Sequence, residues 1–348
     1  MAPDTLPGYH SAVEYHFSEE QADAISRTAA YYRKDFGLAV IWFPAREHSD
    51  IRGSIATPFP ERANRGLGSL NKLPPELWRD VLFRLDMKSL FKLRQTSLRS
   101  RELVDSLRQY RTVVTHGLNL FCALLRTRLA DNVSLVDFYN ILCTKTCEFC
   151  GEFAGFVSLL TWKRCCFPCL LLAPTLQVQT LAATRKQFHL TKAEISRLKS
   201  FKTLPGVYSM AETKQKSRIT VICVHQAISS VRKDALAQWQ PVNSSQSNKL
   251  NFMGAIELPY YDQGTDKIER GLSCAGCQLA LEKDIIGTRG EKWAFEVRDK
   301  VYSQDGFLDH FRWCEQAQEL WKSSGEGVAR PSELPEGARR GGYFNPRE

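Results

Sequence analysis

Between residues 70 and 111, apolar residues recur every three or four positions, which is the spacing of an amphipathic helix. Pro74 and Pro75 suit the start of a first helix, because proline has the helical φ and lacks an N–H that would be unpaired there. Asp86 and Ser97 can act as N-caps of a second and a third helix. The apolar positions of these helices are Leu77, Val81, Leu82, Leu85, Leu90, Phe91, Leu93, Leu98, Leu103, Val104 and Leu107. Three short helices cannot bury so many apolar side chains among themselves, so the excess predicts a docking face.

The pattern before this segment predicts one helix, one short strand and a linker. Ser18 begins a potential capping box, S-x-x-Q, and apolar residues then recur at helical spacing up to Gly37, which suits a helix end. The apolar run 38–43 predicts a buried strand. From Pro44 the composition turns to Pro, Gly, Arg and Ser, which predicts a disordered linker. We therefore expect residues 1–69 to form a partly disordered N-terminal extension.

Beyond the leucine-rich segment, the pattern predicts further helices and then short strands mixed with helices. Asn132 or Ser134 can open one helix, and Thr191 can open a short basic helix with a T-x-x-E capping box. The β-branched, apolar run 218–225 predicts a buried strand. The polar run 241–249 predicts a loop.

The chain of 348 residues is 43% apolar, which is enough for two or three domains with buried cores. Its apolar runs are far shorter than the roughly 20 residues of a membrane helix, and its start lacks the basic and apolar regions of a secretory signal. Eleven cysteines, most of them in clusters, indicate metal ligands in a reducing compartment rather than disulfides. We expect an intracellular protein, in the cytoplasm or the nucleus, with no membrane contact.

The net charge of +9 is concentrated in one segment. Residues 185–218 contain nine lysines and arginines against two glutamates. We interpret this basic segment as a solvated helix face; the alternative is a surface that attracts nucleic acid or an acidic partner.

The first cysteine cluster has the spacing C-x2-C-x15-C-x2-C. A two-residue spacing lets a tight turn direct both sulfurs to one metal, and four thiolates suit tetrahedral zinc. Gly151 permits the positive φ of such a turn, and Cys165 is the alternative to its neighbour Cys166, which is favoured only by the spacing. The predicted ligands are Cys147, Cys150, Cys166 and Cys169. Because protein fills all four positions, we expect a structural zinc site; the alternative is a group of buried free thiols.

A second C-x2-C pair, expected in a loop, is followed far downstream by H-x3-C. Residues four apart in a helix lie on one side of it, so this histidine and cysteine can reach one metal ion. We expect Asp305 to cap this helix and its apolar face to extend to Trp321. The predicted ligands are Cys274, Cys277, His310 and Cys314. They form a second candidate zinc site with an unusually wide spacing; the alternative is a core cysteine beside an exposed histidine.

The segment from Leu70 to Leu107 resembles the F-box family over its whole length. The family's features correspond here to Leu73-Pro74-Pro75-Glu76-Leu77, Val81, Leu85-Asp86, Leu90, Leu93 and the Ser-x-x-x-Arg element from Ser97 to Arg101. Ser100 departs from the many members that carry Trp, which reduces the buried area of the third helix. The resemblance implies that the Leu-Pro edge packs against the Skp adaptor of a Skp–cullin–F-box ubiquitin ligase. The implied contact residues are Leu73, Pro74, Pro75, Leu77, Val81, Leu85, Leu90 and Leu93.

From about Leu70 to Trp321, the chain also resembles fungal-type F-box proteins. These proteins carry a box, a four-cysteine cluster, a Phe-x-Leu-Thr-Lys-x-Glu helix and a Leu-Pro-Gly turn. Here the helix motif lies at residues 188–194 and the turn at residues 204–206.

The predicted fold is mainly α, with an N-terminal three-helix F-box followed by a small zinc-stabilised α+β region. The expected parts are an N-terminal extension (1–69), the F-box (70–111), a helical and zinc-knuckle region (112–240), an α+β unit with the second zinc site (250–322) and a disordered tail (323–348).

These features predict a non-catalytic adaptor that binds a Skp-type subunit of a cullin ligase through the F-box and an unknown protein client through its zinc-containing region. The chain has no Walker, G-x-G-x-x-G, G-x-S-x-G or H-E-x-x-H motif. Cys223 and His225 would share one face of a buried strand, which explains them better than a nucleophile pair. The alternative function is zinc-dependent nucleic-acid binding through the basic segment 185–218.

Overall fold

The computed structural model describes residues 11, 13–44, 46–47, 49–57, 72–231, 245–285 and 297–345. About 52% of it is helical, and its strands form small sheets, as expected of a mainly α fold. The end of the predicted linker (58–69), the first two residues of the predicted F-box (70–71), part of the predicted loop (241–244) and the last residues of the predicted tail (346–348) lie outside the described residues.

The N-terminal part begins with helix α1 (Glu19–Ala29), strand β1 (Ala30–Tyr31), helix α2 (Lys34–Ala39) and helix α3 (Ser49–Ala56). The capping box at Ser18 is confirmed, because its backbone N–H donates to Gln21 Oε1 at 3.0 Å. The expected helix end at Gly37 is wrong: α1 ends at Ala29, where the chain leaves to pair as β1.

The run 38–43 is buried but is not a strand, since its first two residues end α2 and Ile41 forms only an isolated bridge with Ile256. The expectation of a wholly disordered linker from Pro44 is also wrong for its first part. Ile55 of α3 is buried, and the buried guanidinium of Arg94 donates to the carbonyl of Thr57 at 3.1 Å. These contacts hold α3 against the helices that follow.

The predicted box segment and its continuation are helical. The helices are α4 (Pro75–Arg84), α5 (Met87–Thr96), α6 (Leu98–Ser106), α7 (Arg108–His116), α8 (Leu118–Thr127) and α9 (Leu135–Leu142). Three predicted N-caps are confirmed: Asp86 Oδ1, Ser97 Oγ and Ser134 Oγ accept backbone N–H groups three residues ahead at 2.8, 3.0 and 3.1 Å. Pro75 occupies the first turn of α4, where its missing N–H costs nothing.

Short strands and helices alternate in the middle of the chain. They are β2 (Phe156–Ser158), β3 (Lys163–Cys165), α10 (Phe167–Leu172), β4 (Val178–Thr180), α11 (Leu181–Phe188), α12 (Lys192–Ser196), β5 (Ser200–Lys202), β6 (Gly206–Tyr208), β7 (Thr213–Gln215), β8 (Thr220–Cys223), α13 (Val224–Val231), α14 (Ser245–Met253) and β9 (Ala255–Glu257). All of these strands pair antiparallel, in the orders β3-β2-β9, β4-β8-β5 and β6-β7.

Two expectations for this region need correction. The predicted strand 218–225 exists as β8, but Val224 already begins α13, so Cys223 and His225 do not share a strand face. Residues 245–249 of the predicted loop belong to α14. The capping box at Thr191 is confirmed, because its hydroxyl accepts the Glu194 N–H at 3.3 Å.

The C-terminal part continues with β10 (Tyr260–Tyr261), β11 (Ile268–Glu269), β12 (Ser273–Cys274), α15 (Ala275–Ala280), a π-helical turn (Leu281–Ile285), α16 (Gln304–Phe311), α17 (Glu315–Ser323) and α18 (Glu336–Arg340). Strand β12 pairs antiparallel with β1, and β10 pairs with β11. Because β1 comes from the start of the chain, the C-terminal part is completed by N-terminal residues.

The predicted disordered tail is wrong for residues 323–345. Ala338 of α18 is buried, and the carbonyl of Gly341 accepts the backbone N–H of Lys34 at 2.8 Å. Gly341 has a φ of +82°, which lets the chain leave α18 and lie beside the N-terminal residues. The tail is therefore ordered by pairing with the other end of the described chain.

Buried apolar side chains form one large cluster and two small ones. The large cluster joins α2, the helices α4–α9 and the strands around β2. One small cluster lies between α1 and the C-terminal helices, with Ile25, Phe307 and Trp321 at its centre, and the other joins Tyr31 of β1 to α15, α17 and α18. Among the described residues, no helix has both the length and the apolar character needed to cross a bilayer.

Candidate functional site

The first cysteine pair lies in a tight turn. Gly151 donates its N–H to the carbonyl of Cys147 at 2.9 Å and has a φ of +79°, as the spacing predicts. An isolated bridge between Thr146 and Phe153 closes the base of this turn. The turn brings Cys150 back toward Cys147, so both sulfurs are directed to one point.

The second pair of this cluster is positioned by the start of α10. Cys166 is the N-cap residue of α10, and its sulfur accepts the backbone N–H of Cys169 at 3.5 Å. Its sulfur lies 3.5 Å from the sulfur of Cys150. Cys165 is the last residue of β3, fully buried, and does not belong to the group. The structure thus brings Cys166, and not Cys165, to the other three cysteines.

The geometry of the first cluster fits a tetrahedral metal ion. The four sulfurs lie within 4.8 Å of one another, and a tetrahedron with Zn–S distances of about 2.3 Å has sulfur–sulfur edges of roughly 3.8 Å. A hydrogen bond from the Cys166 thiol, together with backbone N–H groups around Phe149, lowers the pKa of Cys147, although burial opposes this. The contact between the two cysteine pairs therefore favours a thiolate, which is the form that binds zinc.

The second cluster has the same dimensions. Cys277 Sγ lies 3.2 Å from His310 Nε2, and Cys314 Sγ lies 3.7 Å from Cys274 Sγ and 3.9 Å from Cys277 Sγ. The ring of His310 stacks on Tyr302 at 4.8 Å between centroids, which fixes its orientation. Three sulfurs and one imidazole nitrogen form a donor set typical of structural zinc.

The end of one strand and the ends of three helices position these four residues. Cys274 ends β12 and caps α15, and Cys277 lies in the first turn of α15. The expected location of this pair in a loop is therefore wrong. The expectation that one helix carries both His310 and Cys314 is also wrong, because α16 ends at Phe311 and Cys314 precedes α17. The N-cap of α16 is Ser303 rather than Asp305, since its hydroxyl accepts the Gly306 N–H at 3.1 Å.

Helix α4 presents an apolar edge to solvent. Leu77 and Val81, one turn apart, are 50% and 46% exposed, and Leu73 just before the helix is 39% exposed. We call these three residues, with the exposed Pro74, the docking edge. Leu82 faces the opposite way and is buried in the core. Helix α4 is thus apolar on two sides, of which only one has a partner among the described residues.

The remaining residues implied by the F-box resemblance lie deeper. Leu85 and Leu93 are half-buried against the large hydrophobic cluster, and Leu90 is fully buried within it. Leu90 thus supports the packing of α5 and presents no surface to a partner in this conformation. Pro75 lies at the start of α4, next to the docking edge.

The basic segment 185–218 does not form one helix face. Its lysines and arginines are distributed over α11, α12, β5, β7 and the segments that connect these elements and β8. Two of them, Lys202 and Arg218, line a cleft together with Arg126 and Arg128 from the end of α8. We call this group of four the basic cleft. The basic cleft could not be predicted from the sequence, because Arg126 and Arg128 are 74 residues or more away from Lys202 and Arg218 along the chain.

Comparison with known proteins identifies one part of the chain. The family model of the F-box domain matches residues 70–112. No curated protein and no solved structure matches the chain. The match supports an F-box protein and covers α4, α5, α6 and the start of α7.

Proposed function

We propose that this chain is a substrate-recognition adaptor of a Skp–cullin–F-box ubiquitin ligase. The observation that carries the proposal is the docking edge, which lies inside the F-box domain. Leu73, Leu77 and Val81 form a continuous apolar strip that the rest of the described chain leaves uncovered. An apolar strip of this kind, rimmed by charged residues, is typical of a protein interface.

The energetics of the edge favour a stable contact. Burying a leucine or valine side chain contributes about 1.5–3 kcal/mol, so three half-exposed side chains provide a few kcal/mol toward binding. Removing them would leave the core intact, because Leu82 and Leu90 face inward. Binding and folding are therefore separable at this helix.

Both cysteine clusters act, in this proposal, as structural zinc sites. Each supplies four protein ligands, so no position is open for water or substrate. The first would hold the turn at Cys147 against α10, and the second would hold α15 against the helices α16 and α17. The adaptor role requires no catalytic residue of its own, and the ligase chemistry belongs to other subunits.

The client would be bound by the zinc-containing region that follows the box. We extend the fungal-type resemblance to this region as part of the proposal: its helix motif spans the end of α11 and the capping box of α12. Reduced thiols are needed for both clusters, so we propose an intracellular location, in the cytoplasm or the nucleus.

The test is co-purification with a Skp-type adaptor. The variant Leu77→Ala/Val81→Ala removes the centre of the docking edge and should weaken binding by roughly tenfold or more. The control Leu172→Ala/Val136→Ala removes the same residue types from exposed positions on α10 and α9. The control should bind like the wild type. Equal binding by both variants would contradict the proposal.

A further inference from the structure

The basic cleft is built on one side by the ladder between β5 and β8. Lys202 lies opposite Thr220 in this ladder, and Arg218 precedes Thr220 by two residues. Since side chains alternate along a strand, Lys202 and Thr220 belong to the same face, and Arg218 lines the cleft beside them. Phe201, the neighbour of Lys202 in β5, is 4% exposed and packs into the core. The face that reaches the cleft is therefore cationic and hydroxylated.

The other side of the cleft is the end of α8. Arg128 is the C-cap residue and has a φ of +63°, which turns the chain sharply away from the helix. Two carbonyls of the last turn accept backbone N–H groups, that of Leu124 from Leu129 at 2.9 Å and that of Leu125 from Arg128 at 3.3 Å. The negative end of the helix is thus paired internally, so that it opposes an anion in the cleft less strongly.

The four cations are not equivalent. Arg126 pairs with Glu47 at 2.6 Å and lies over the ring of Phe43, so its charge is largely offset. Among the described residues, Arg128, Lys202 and Arg218 form no ion pair, and no acidic side chain lines the cleft. Three positive charges therefore line the cleft without a counter-ion supplied by the described chain.

We propose that the basic cleft binds a small ligand that carries two adjacent phosphate groups. Its volume of about 430 Å³ lies within the usual range of small-molecule sites. One phosphate monoester carries a charge of about −1.5 to −2 at neutral pH, so three uncompensated cations match about two phosphate groups. Two arginine forks can each hold phosphate oxygens through paired hydrogen bonds. This binding is independent of the proposed adaptor contact on α4.

A nucleic acid fits the cleft less well than a small phosphate ligand. Proteins that bind single strands combine a cationic groove with exposed aromatic rings on which bases stack. The aromatic residue of this cleft, Phe201, is buried. The cations also line a single cleft of limited volume, whereas a strand requires them along an extended track. The remaining cations of the segment 185–218 are spread over separate elements.

The experiment is calorimetric titration of the purified, zinc-containing full chain with pyrophosphate at physiological salt. The wild type should bind, and Lys202→Ala/Arg218→Ala should bind roughly tenfold or more weakly, since each removes a charged hydrogen bond. The control Lys186→Ala/Lys192→Ala removes the same charge from exposed positions on α11 and α12. Its affinity should change by less than about twofold, because distant exposed charges are screened by salt.

Three further readouts separate this binding from other causes. Zinc content should be unchanged after titration. If zinc is lost, the measured heat comes from chelation of zinc by pyrophosphate, and the proposal is overturned. Equal weakening in both double variants would show a response to total charge and would also overturn it. A mixed oligonucleotide that binds when pyrophosphate does not would favour a nucleic-acid surface instead. Both double variants should still co-purify with the Skp-type adaptor as well as the wild type does.

Discussion

Gly276 shows how little space surrounds the second cysteine cluster. It lies between Cys274 and Cys277, and a Cβ at this position would overlap the backbone nitrogen of Ala317. The absence of a side chain thus lets α15 approach α17 closely. This contact brings the first two ligands within reach of Cys314.

Gly276→Ala should therefore separate the two helices and disturb the candidate metal site. Overpacking of this kind typically costs about 1–3 kcal/mol, so we expect a lower thermal midpoint and loss of one of about two bound zinc ions. The control is Gly53→Ala, because a Cβ there has no neighbour within 4 Å. Elemental analysis and thermal unfolding measure both effects. A Gly276→Ala protein with full zinc content would show that this contact does not position the ligands.

Asp86 couples the stability of the box to pH. Burial would raise its pKa, but hydrogen bonds from the Ser89 hydroxyl and backbone outweigh this and lower it. An acid with a lowered folded pKa contributes stability above its unfolded pKa, and this is lost as the pH falls through the folded value. Asp86→Ala should thus cost about 1 kcal/mol at pH 7, and its difference from the wild type should shrink below about pH 4.

The matched control for this prediction is Asp86→Asn. Asparagine also accepts the hydrogen bond of an N-cap but does not titrate, so its cost should be smaller and nearly independent of pH. Chemical unfolding of both variants between pH 3 and pH 8 gives the comparison. A constant difference between Asp86→Ala and the wild type over this range would show that the cap contributes nothing through its charge.

At the scale of elements, two adjacent cysteines have different roles: one packs in the core and the other is a candidate metal ligand. Cys165 ends β3 and is buried, whereas Cys166 begins α10 and belongs to the first cluster. Zinc affinity in a structural site contributes about 10 kcal/mol to folding, which is comparable to the whole stability of a domain. Cys166→Ser should therefore lose one zinc ion and become sensitive to protease around β2 and β3. Cys165→Ser should keep its zinc, and a reversal of these outcomes would assign the ligand to Cys165.

Local signals predicted the elements that depend on neighbouring residues. The caps at Ser18, Asp86, Ser97, Ser134 and Thr191 were all readable, because a side-chain acceptor and its N–H lie three residues apart in the sequence. The C-x2-C pairs could be predicted for the same reason, because the two cysteines of each pair are also three residues apart. Cys166 could be preferred over Cys165 only through this spacing, and the structure agrees with that preference.

Features that depend on contacts between distant residues could not be predicted from the sequence. Helix α1 ends at Ala29, not at Gly37, because the chain there pairs with β12, far along the sequence. The tail after Ser323 has a composition typical of disorder, yet Gly341 pairs with Lys34. The basic cleft likewise requires α8 and β5 to meet. In each case the missing information was a tertiary contact rather than a local preference.

At the scale of the whole molecule, helix α1 belongs to the C-terminal part. Ile25 is fully buried among residues of α16 and α17 beside the second cluster. Ile25→Asp should therefore release one zinc ion, because an unpaired carboxylate cannot be buried there. Arg27→Asp places the same residue on the exposed side of α1 and should retain about two zinc ions. Full zinc content in Ile25→Asp would mean that the C-terminal part folds without α1.

The large hydrophobic cluster has a different role. It includes Leu82 and Met87 of the box as well as Cys147 and Phe156 in and near the first cysteine cluster. The box thus shares its core with the region behind it, and loss of the first zinc should also loosen the helices that carry the docking edge. The second cysteine cluster lies in a separate small hydrophobic core, so loss of its zinc ion should leave the docking edge in place.

The pairing of the two chain ends also sets the order of events during synthesis. Tyr31 donates its hydroxyl to Gln278, 247 residues further along the chain. At a synthesis rate of about 5–20 residues per second, the ribosome needs roughly 10–50 s to make this partner. During that time, Ile25 and Ala29 of helix α1 are not yet covered by the C-terminal part of the chain. A nascent chain that pauses within this interval would expose an apolar helix face, which is the kind of surface that chaperones bind.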